Sequence, residues 1–343
     1  MRKADFRPEG RITAIGSMPH TDPQEACRIV LRYLPEIPAW PQLPRRSPLE
    51  QMHLQFSEGF PGAIIRDGNL IILRNLFEEQ VPEFLEEERE IGVSPQYAAG
   101  LFSFLSSSFP SFPLALKGQM TGPLTFCLAA KDEKGRSIIC DEEMAEAAVR
   151  LLRGKARWQE RKLSEAISKE IIIFLDEPSL SSLGSPFAPA VPGERIRAML
   201  EGVLSALSPY TLKGIHCCGN ADWELLLSLP LDILSFDAYN FSDPLLFHKR
   251  KLCEFVRRGG ILAWGIVPTD EERLEREGEE ELERRLWDEM RSLASEGLGV
   301  EEIFARSLLT PSCGLGFLSS EGALRALELL SGLSQRLRRK FAL

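Results

Sequence analysis

Four side chains that lie far apart in the sequence have the chemistry to bind one metal ion together. His216 and Cys218 form a His-x-Cys pair, and Asp237 and Cys313 follow later in the chain. Imidazole and thiolate donors suit zinc, and a carboxylate completes four-fold coordination. Residues two apart in an extended segment point to the same side, so His216 and Cys218 face together while Cys217 points away. The pattern predicts a zinc site.

The remaining cysteines have a structural explanation. Free cysteine is among the most buried residue types, and four cysteines fall within or beside helical patterns. They are Cys27, Cys127, Cys140 and Cys253. Cys217 is expected to pack beside the site rather than to bind metal. Because the chain has 7 cysteines, an odd number spread over a long sequence, we expect reduced thiols rather than a disulfide framework.

Two further segments have residues that could hold a substrate. Asp176 and Glu177 directly follow an apolar run, and Asp176 is the better candidate to bind a cationic group such as an amine. Pro178 fixes the next turn, which leaves Glu177 facing the loop. The hydroxyl and backbone N–H groups of Gly16-Ser17 could hold a carboxylate. The alternatives are an ordinary strand exit with solvated acids and a simple turn.

These candidates must be positioned by strands and helices. Short apolar runs alternate with long amphipathic segments, a pattern typical of parallel strands beneath helices. Eight strands are predicted, at Ile12–Gly16, Ile37–Pro41, Leu114–Gln119, Ile171–Leu175, Leu212–His216, Ile233–Phe236, Ile261–Gly265 and Leu308–Pro311. A helix over Pro244–Arg258 follows the sixth. The count predicts an α/β fold, a (β/α)8 TIM barrel, with an open doubly wound sheet as the alternative. Reacting groups of such barrels lie at the carboxyl ends of the strands, where these candidates fall.

Length and composition limit the classes of protein. The 343 residues show no repeats or linkers, so we predict a single barrel domain over 1–343. Gly62–Leu73 predicts a hairpin on Asp67-Gly68, inserted at about 60–75, outside the barrel. The net charge of −9 argues against binding to nucleic acid. No apolar run is long enough for a membrane span or a signal peptide, which predicts a cytoplasmic protein without membrane contact.

Five segments, in this order, resemble the catalytic barrel of cobalamin-independent methionine synthase. They are Gly16–Thr21, Gly122–Thr125, Asp176–Leu180, His216–Cys218 and Pro311–Leu315. The superfamily includes uroporphyrinogen decarboxylase and methylcobamide:coenzyme M methyltransferases, and the resemblance spans about residues 11 to 320.

The resemblance implies a function and a set of site residues. The family's zinc ligands fall on His216, Cys218, Asp237 and Cys313. Its homocysteine-binding residues fall on Gly16, Ser17 and Asp176, of which Asp176 is also the expected catalytic residue. The chain therefore resembles a zinc-dependent methyltransferase that activates a small thiol, homocysteine above all, as a zinc thiolate.

Three departures from the family concern the metal and the methyl donor. Asp237 stands where the family usually has Glu. A length of 343 residues leaves no room for the second, amino-terminal barrel that helps to hold the folate donor. Gly265–Asp270, after the seventh strand, contains no histidine to protonate a departing folate. These departures favour a methylated corrinoid protein as donor over methyltetrahydrofolate.

Other functions stay open on the sequence. One is a methylcobamide:coenzyme M-type methyltransferase. Another is a uroporphyrinogen decarboxylase-like enzyme, for which Arg7 and Arg11 are present but which needs no cysteine pair. From another class, a non-catalytic protein that binds metal or corrinoid is the alternative.

Overall fold

The computed structural model describes residues 6–86, 90–109, 113–167, 169–183 and 189–343. The strands are β1 Arg11–Ile12, β2 Ala63–Arg66, β3 Asn69–Ile72, β4 Ala115–Thr121, β5 Lys131–Asp132, β6 Glu170–Asp176, β7 Leu212–Cys217, β8 Ile233–Phe236, β9 Ile261–Val267 and β10 Ser307–Pro311. The helices are α1 Pro23–Tyr33, α2 Met52–Gln55, α3 Arg74–Glu86, α4 Ala99–Leu105, α5 Pro123–Ala129, α6 Glu142–Ala166, α7 Gly193–Leu204, α8 Trp223–Ser228, α9 Ala238–Leu246, α10 Lys249–Arg257, α11 Glu271–Arg276, α12 Glu279–Ala294, α13 Val300–Ala305 and α14 Ser320–Lys340. Short 3-10 helices cover Pro48–Glu50, Ile138–Cys140 and Pro178–Ser182.

Seven strands form one parallel sheet in the order β1-β10-β9-β8-β7-β6-β4. The sheet curls and is surrounded by helices. Its strands are apolar over most of their length because both faces are buried; every residue of β9, for example, is buried. The predicted α/β class with parallel strands beneath helices is therefore confirmed.

The ring of strands is not closed by a continuous ladder. The predicted strand Ile37–Pro41 forms no strand and takes part only in isolated bridging. The two parallel bridges here join Ala39 to Lys117 and Ser17 to Gln42. Pro38 and Pro41 have no N–H group to donate, so a regular ladder cannot form through this segment. The prediction of eight strands is thus wrong at this position, which connects the two edges of a seven-stranded sheet.

Side chains inside the curl form two layers, because alternate residues of a strand point to the same face. The lower layer, which extends from the amino ends to the middle of the strands, is apolar: Phe6, Ile37, Ala115, Ile172, Phe174, Leu212, Ile233, Ile261, Ala263 and Leu308. The upper layer, near the carboxyl ends, is polar although buried: Gln119, Asp176, His216, Ser235 and Asp237. The upper layer belongs to the site described below.

Strands β2 and β3 pair antiparallel around Asp67-Gly68. Both turn residues have left-handed backbone angles, with φ of 51° and 73°, as a two-residue type I′ turn requires. Strand β3 also pairs with β5, so the hairpin belongs to a separate three-stranded sheet. The organisation of the chain as a single domain stays a prediction.

The single helix predicted over Pro244–Arg258 is wrong: two helices cover this region, and neither has the predicted bounds. Helix α9 begins at Ala238, directly after β8, and ends at Leu246; α10 begins at Lys249. Pro244 lies inside α9, which is kinked at Phe241. None of the helices described is both long enough and apolar enough to cross a bilayer.

Candidate metal centre

Three of the four predicted metal ligands converge. One ligand atom each from His216, Cys218 and Cys313 lies within 4.8 Å of the other two. His216 is near the end of β7, Cys218 directly follows that strand, and Cys313 follows β10. The sheet therefore brings together residues almost 100 positions apart, as the prediction from their types required.

The imidazole of His216 is oriented by a neighbouring strand. Its Nδ1 atom is 2.9 Å from the Ser235 hydroxyl, and Ser235 pairs with His216 in the ladder between β7 and β8. The other nitrogen, Nε2, is buried and has no hydrogen-bond partner among the described residues. A hydrogen bond at Nδ1 leaves the lone pair of Nε2 free to bind a metal. Metal-binding histidines usually have this arrangement, with one ring nitrogen on the metal and the other in a hydrogen bond.

The two thiols act strongly on each other. The hydrogen bond from the Cys313 thiol, helped by the His216 ring, lowers the pKa of Cys218 to about 4. The same interaction and burial raise the pKa of Cys313, because a second thiolate beside the first is disfavoured. The pair therefore holds one negative charge readily and a second only if a cation compensates it.

These features fit a metal ion with a preference for nitrogen and sulfur. A buried imidazole nitrogen without a partner and two adjacent sulfurs are the donor set of catalytic zinc sites, which keep a further position for water or substrate. His216, Cys218 and Cys313 are the residues that would hold it.

Asp237, predicted as the fourth ligand, is not part of this group. It directly follows β8 and caps α9, where its Oδ1 accepts the backbone N–H of Asn240 at 2.8 Å. Its Oδ2 accepts the side-chain amide of Asn240 at 2.7 Å. The carboxylate is buried, and burial raises its pKa. His216 and Cys218 are near enough to affect that pKa, so Asp237 borders the group without joining it.

Asp176 is the last residue of β6 and pairs with His216 in the ladder to β7. Its Oδ1 atom is buried and has no hydrogen-bond partner within the described part of the chain. Burial raises the pKa of Asp176, and the ammonium of Lys117 opposes this. The structure thus places an incompletely satisfied carboxylate beside the metal-ligand group.

Lys117 lies wholly inside the curled sheet. Its Nζ donates to the Ile15 carbonyl at 2.7 Å and to Gln119 Oε1 at 3.2 Å, and it is 4.4 Å from the centroid of the Phe174 ring. Burial lowers the pKa of Lys117, against the field of Asp176. A buried ammonium is costly without such compensation, so Lys117 and Asp176 form an electrostatic pair.

Glu177 differs from its neighbour Asp176 in having a full set of partners. Its carboxylate accepts the backbone N–H groups of Leu124 and Thr125 at 2.9 and 2.8 Å and the Thr125 hydroxyl at 2.6 Å. These groups are at the start of α5. Glu177 therefore anchors a helix, and the expectation that it faces the loop is wrong, because the backbone turns it inward.

Gly16 and Ser17 lie against the loop that carries Cys313. The N–H of Leu315 donates to the Ser17 carbonyl at 2.9 Å, and the N–H of Gly316 donates to Ser17 Oγ at 3.2 Å. A Cβ atom at Gly314 would be 2.1 Å from Ser17 Oγ, so any other residue there would force the Ser17 hydroxyl to move. The role of Gly16 and Ser17 in binding a substrate carboxylate stays a prediction.

The cysteines expected to be structural lie away from the metal-ligand group. Cys27, Cys127 and Cys253 are buried as expected, whereas Cys140 is exposed, so the expectation that it packs in the core is wrong; all four are free thiols. Cys217 is buried, its thiol donates to the Gly219 carbonyl at 3.6 Å, and burial raises its pKa to about 12. A thiol with this pKa is neutral at physiological pH.

Sequence reasoning missed Lys117, Ser235 and Asn240. The signal for Lys117 was available, because polar residues alternate with apolar ones at 117, 119 and 121 in β4. Ser235 lies two residues before Asp237, on the same face of β8. Asn240 stands three residues after Asp237, a spacing typical of a helix start.

Solved structures of other proteins have a similar fold at low sequence identity. A protein assigned as a vitamin B12-independent methionine synthase from Listeria monocytogenes has a TM-score of 0.57 and 13% identity, over 92% of this chain and 86% of that one. A methyltransferase from Methanosarcina mazei has a TM-score of 0.55 and 12% identity, over 96% and 95%. A B12-independent methionine synthase from a Shewanella species, in complex with selenomethionine, has a TM-score of 0.49 and 16% identity, over 71% of this chain and 66% of that one.

Neither protein-family models nor curated proteins give a match. The structural neighbours are thus methionine synthase-like proteins and a methyltransferase of a methanogen. At these identities the likeness shows a shared fold, and the predicted resemblance is confirmed at that level.

Proposed function

We propose that this protein is a zinc-dependent methyltransferase that accepts a methyl group on a small thiol, with homocysteine as the first candidate. The observation that carries the proposal is the convergence of ligand atoms from His216, Cys218 and Cys313 within 4.8 Å. They meet at the carboxyl ends of parallel strands, where barrel-like α/β enzymes carry out their chemistry.

The chemistry needs an activated sulfur. A free thiol has a pKa of about 8.5 and is mostly protonated at neutral pH. Zinc held by His216, Cys218 and Cys313 would supply the activation by binding the acceptor as its thiolate. Bound to such a metal as thiolates, Cys218 and Cys313 would add negative charge around the acceptor and keep its sulfur electron-rich. The sulfur forms the S–CH3 bond, and the electron pair of the donor–methyl bond leaves with the donor.

Asp176 is suited to hold the amine of an amino-acid acceptor. Its buried Oδ1 has no partner among the described residues, and a carboxylate accepts strong hydrogen bonds from an ammonium group. Lys117 lies behind it and compensates its charge. The adjacent loop at Gly16 and Ser17 is the proposed binding place for the acceptor's carboxylate. Holding both ends of the acceptor would position its sulfur for in-line attack.

The proposed donor is a methylated corrinoid protein. A folate donor needs a proton as it leaves, and Gly265–Asp270, which includes the carboxyl end of β9, has no histidine to provide one. A corrinoid takes the electron pair of its carbon–metal bond and needs no proton. This sequence feature supports the corrinoid over methyltetrahydrofolate.

The donor and the acceptor can be tested together. The zinc-loaded protein is incubated with homocysteine or 2-mercaptoethanesulfonate and with either methylcobalamin or methyltetrahydrofolate, and the methylated thiol is measured. We expect faster turnover of homocysteine with methylcobalamin. Cys218→Ser should abolish transfer, while Cys217→Ser, a change at the neighbouring thiol, should leave it intact.

Other outcomes of this assay contradict parts of the proposal. Faster transfer from the folate would overturn the corrinoid donor, and a preference for the sulfonate thiol would indicate a coenzyme M-type enzyme. Bound zinc without transfer from any donor would favour a non-catalytic binding protein.

The role of Asp176 is tested with two acceptors that differ only near the amine. Asp176→Asn should raise the KM for homocysteine roughly 10- to 100-fold, the scale of a lost hydrogen bond to a charged group. The KM for 4-mercaptobutyrate, which is homocysteine without the amine, should change little. An equal effect on both thiols would show that Asp176 does not read the amine.

A further inference from the structure

The carboxylate of Asp237 is engaged at both oxygens by a single residue. Asn240 donates its backbone N–H to Oδ1 at 2.8 Å and its side-chain amide to Oδ2 at 2.7 Å. The first bond is an ordinary helix cap, with Asp237 at the cap of α9 and Asn240 three residues on. The second bond goes beyond what a cap needs.

Asn240 is itself held in place. The guanidinium of Arg273, on α11, donates to Asn240 Oδ1. Because that oxygen accepts from Arg273, the amide nitrogen must be the atom that faces Asp237, which fixes the orientation of the amide. The guanidinium also lies 5.5 Å from the centroid of the Tyr239 ring. Arg273, Asn240 and Asp237 thus form one chain of hydrogen bonds that ends beside the metal-ligand group.

The position of Asp237 makes this chain relevant to the metal. Asp237 directly follows Phe236, which pairs with Cys217 in the ladder between β7 and β8, so its buried carboxylate lies level with Cys218. It nevertheless stands outside the group formed by His216, Cys218 and Cys313. A carboxylate beside His216 and Cys218 would otherwise be a natural fourth ligand for a zinc ion bound there.

We propose that Asn240 is a positioning residue that holds Asp237 back from the metal, so that the fourth coordination position stays accessible to the acceptor thiol. Arg273 supports Asn240 in this role. The inference rests on the proposed function, since it needs a metal at the three-residue group. It assigns to Asp237 a place behind the ligands rather than among them.

The substitution Asn240→Ala separates this role from helix capping. It removes the side-chain amide and releases Oδ2, but it keeps the backbone N–H that caps α9. If the proposal is right, the released carboxylate binds the metal. Zinc affinity, measured by competition with a chelating dye, should rise about tenfold, the scale on which residues behind the ligands change metal affinity.

A spectroscopic signature tests the competition with the thiol. In the Co²⁺-substituted protein, homocysteine should change the visible absorption at roughly tenfold higher concentration in Asn240→Ala than in the wild type. Asp237→Ala should bind the thiol at least as readily as the wild type. Adding Asn240→Ala to Asp237→Ala should then have no further effect. Arg273→Met, a change at a half-exposed side chain, should shift zinc affinity and thiol binding in the same direction as Asn240→Ala but by less.

The outcomes distinguish this inference from the proposed function. A wild-type protein that binds neither Zn²⁺ nor Co²⁺ overturns both. Metal binding that is unchanged or weakened in Asn240→Ala overturns only the role of Asn240. The role of Asn240 is also overturned if Asn240→Ala changes metal and thiol binding equally in the wild type and in the Asp237→Ala variant.

Discussion

On β6, Ile172 belongs to the lower layer and Asp176 to the upper layer; on β7, Leu212 and His216 are related in the same way. The lower side chains are apolar and fill the space that the curled sheet encloses. The upper ones are equally buried, yet Asp176 Oδ1 and His216 Nε2 have no hydrogen-bond partners among the described residues. A buried polar atom without a partner costs about 1–3 kcal/mol.

The difference teaches which features mark a site. The adjacent acids Asp176 and Glu177 are both fully buried, but Glu177 has three donors and anchors α5. Burial of charge alone therefore does not indicate function. Buried atoms without partners on paired residues at the carboxyl ends of strands do, because a ligand can satisfy what the chain does not.

The largest expected effect is at the boundary between the layers. Lys117→Met should lower the free energy of unfolding by about 3–5 kcal/mol, because it leaves two buried acceptors, the Ile15 carbonyl and Gln119 Oε1, without their donor and removes the cation whose field acts on Asp176. Urea denaturation of the two proteins at pH 7 measures the change. In Lys117→Met/Asp176→Asn the pair is replaced by neutral groups, and part of the loss should be recovered. Equal losses in the single and double variants would show that the two residues are not paired.

A smaller loss is expected within the lower layer. Leu212→Ala should cost about 3 kcal/mol of unfolding free energy, because it removes a fully buried side chain and leaves a cavity. The zinc content of the folded protein should stay as in the wild type. Loss of zinc from a folded Leu212→Ala protein would contradict the separation of the two layers.

In the upper layer we expect the opposite: a substitution should change zinc binding more than the free energy of unfolding. Ser235→Ala removes the partner of His216 Nδ1 and should weaken zinc binding about 10- to 100-fold. The free energy of unfolding of the metal-free protein should change by only about 1 kcal/mol. Chelator titration gives the first quantity and urea denaturation the second. Unchanged zinc affinity would mean that Ser235 does not orient the imidazole.

The fold could be predicted where local pattern decides the structure. The apolar runs at Ile171–Leu175 and Ile261–Gly265 correspond to β6 and β9 because strands buried on both faces must be apolar. The run Ile37–Pro41 is equally apolar, but its prolines prevent a ladder. For this segment, the two prolines that lack N–H groups are better evidence against a strand than the apolar composition is evidence for one.

The site could be predicted in part for a similar reason. The grouping of His216, Cys218 and Cys313 could be expected from residue type, because imidazole and thiolate are donors that suit zinc. The position of Asp237 could not be predicted, because it depends on hydrogen bonds from Asn240 and, through Asn240, from Arg273, which lies on a different helix. The partner of Lys117 at Ile15 is 102 residues away, and no local pattern reveals such a contact.

The central claim is that His216, Cys218 and Cys313 bind one zinc ion, and metal stoichiometry tests it most directly. We predict about one zinc per chain in the wild type. The same content is expected in Cys217→Ser, because the wild-type Cys217 thiol donates to the Gly219 carbonyl and does not belong to the metal-ligand group. Cys218→Ser and Cys313→Ser should retain little or none after dialysis. Equal zinc in all four proteins, or none in the wild type after growth and refolding with zinc, would contradict the account.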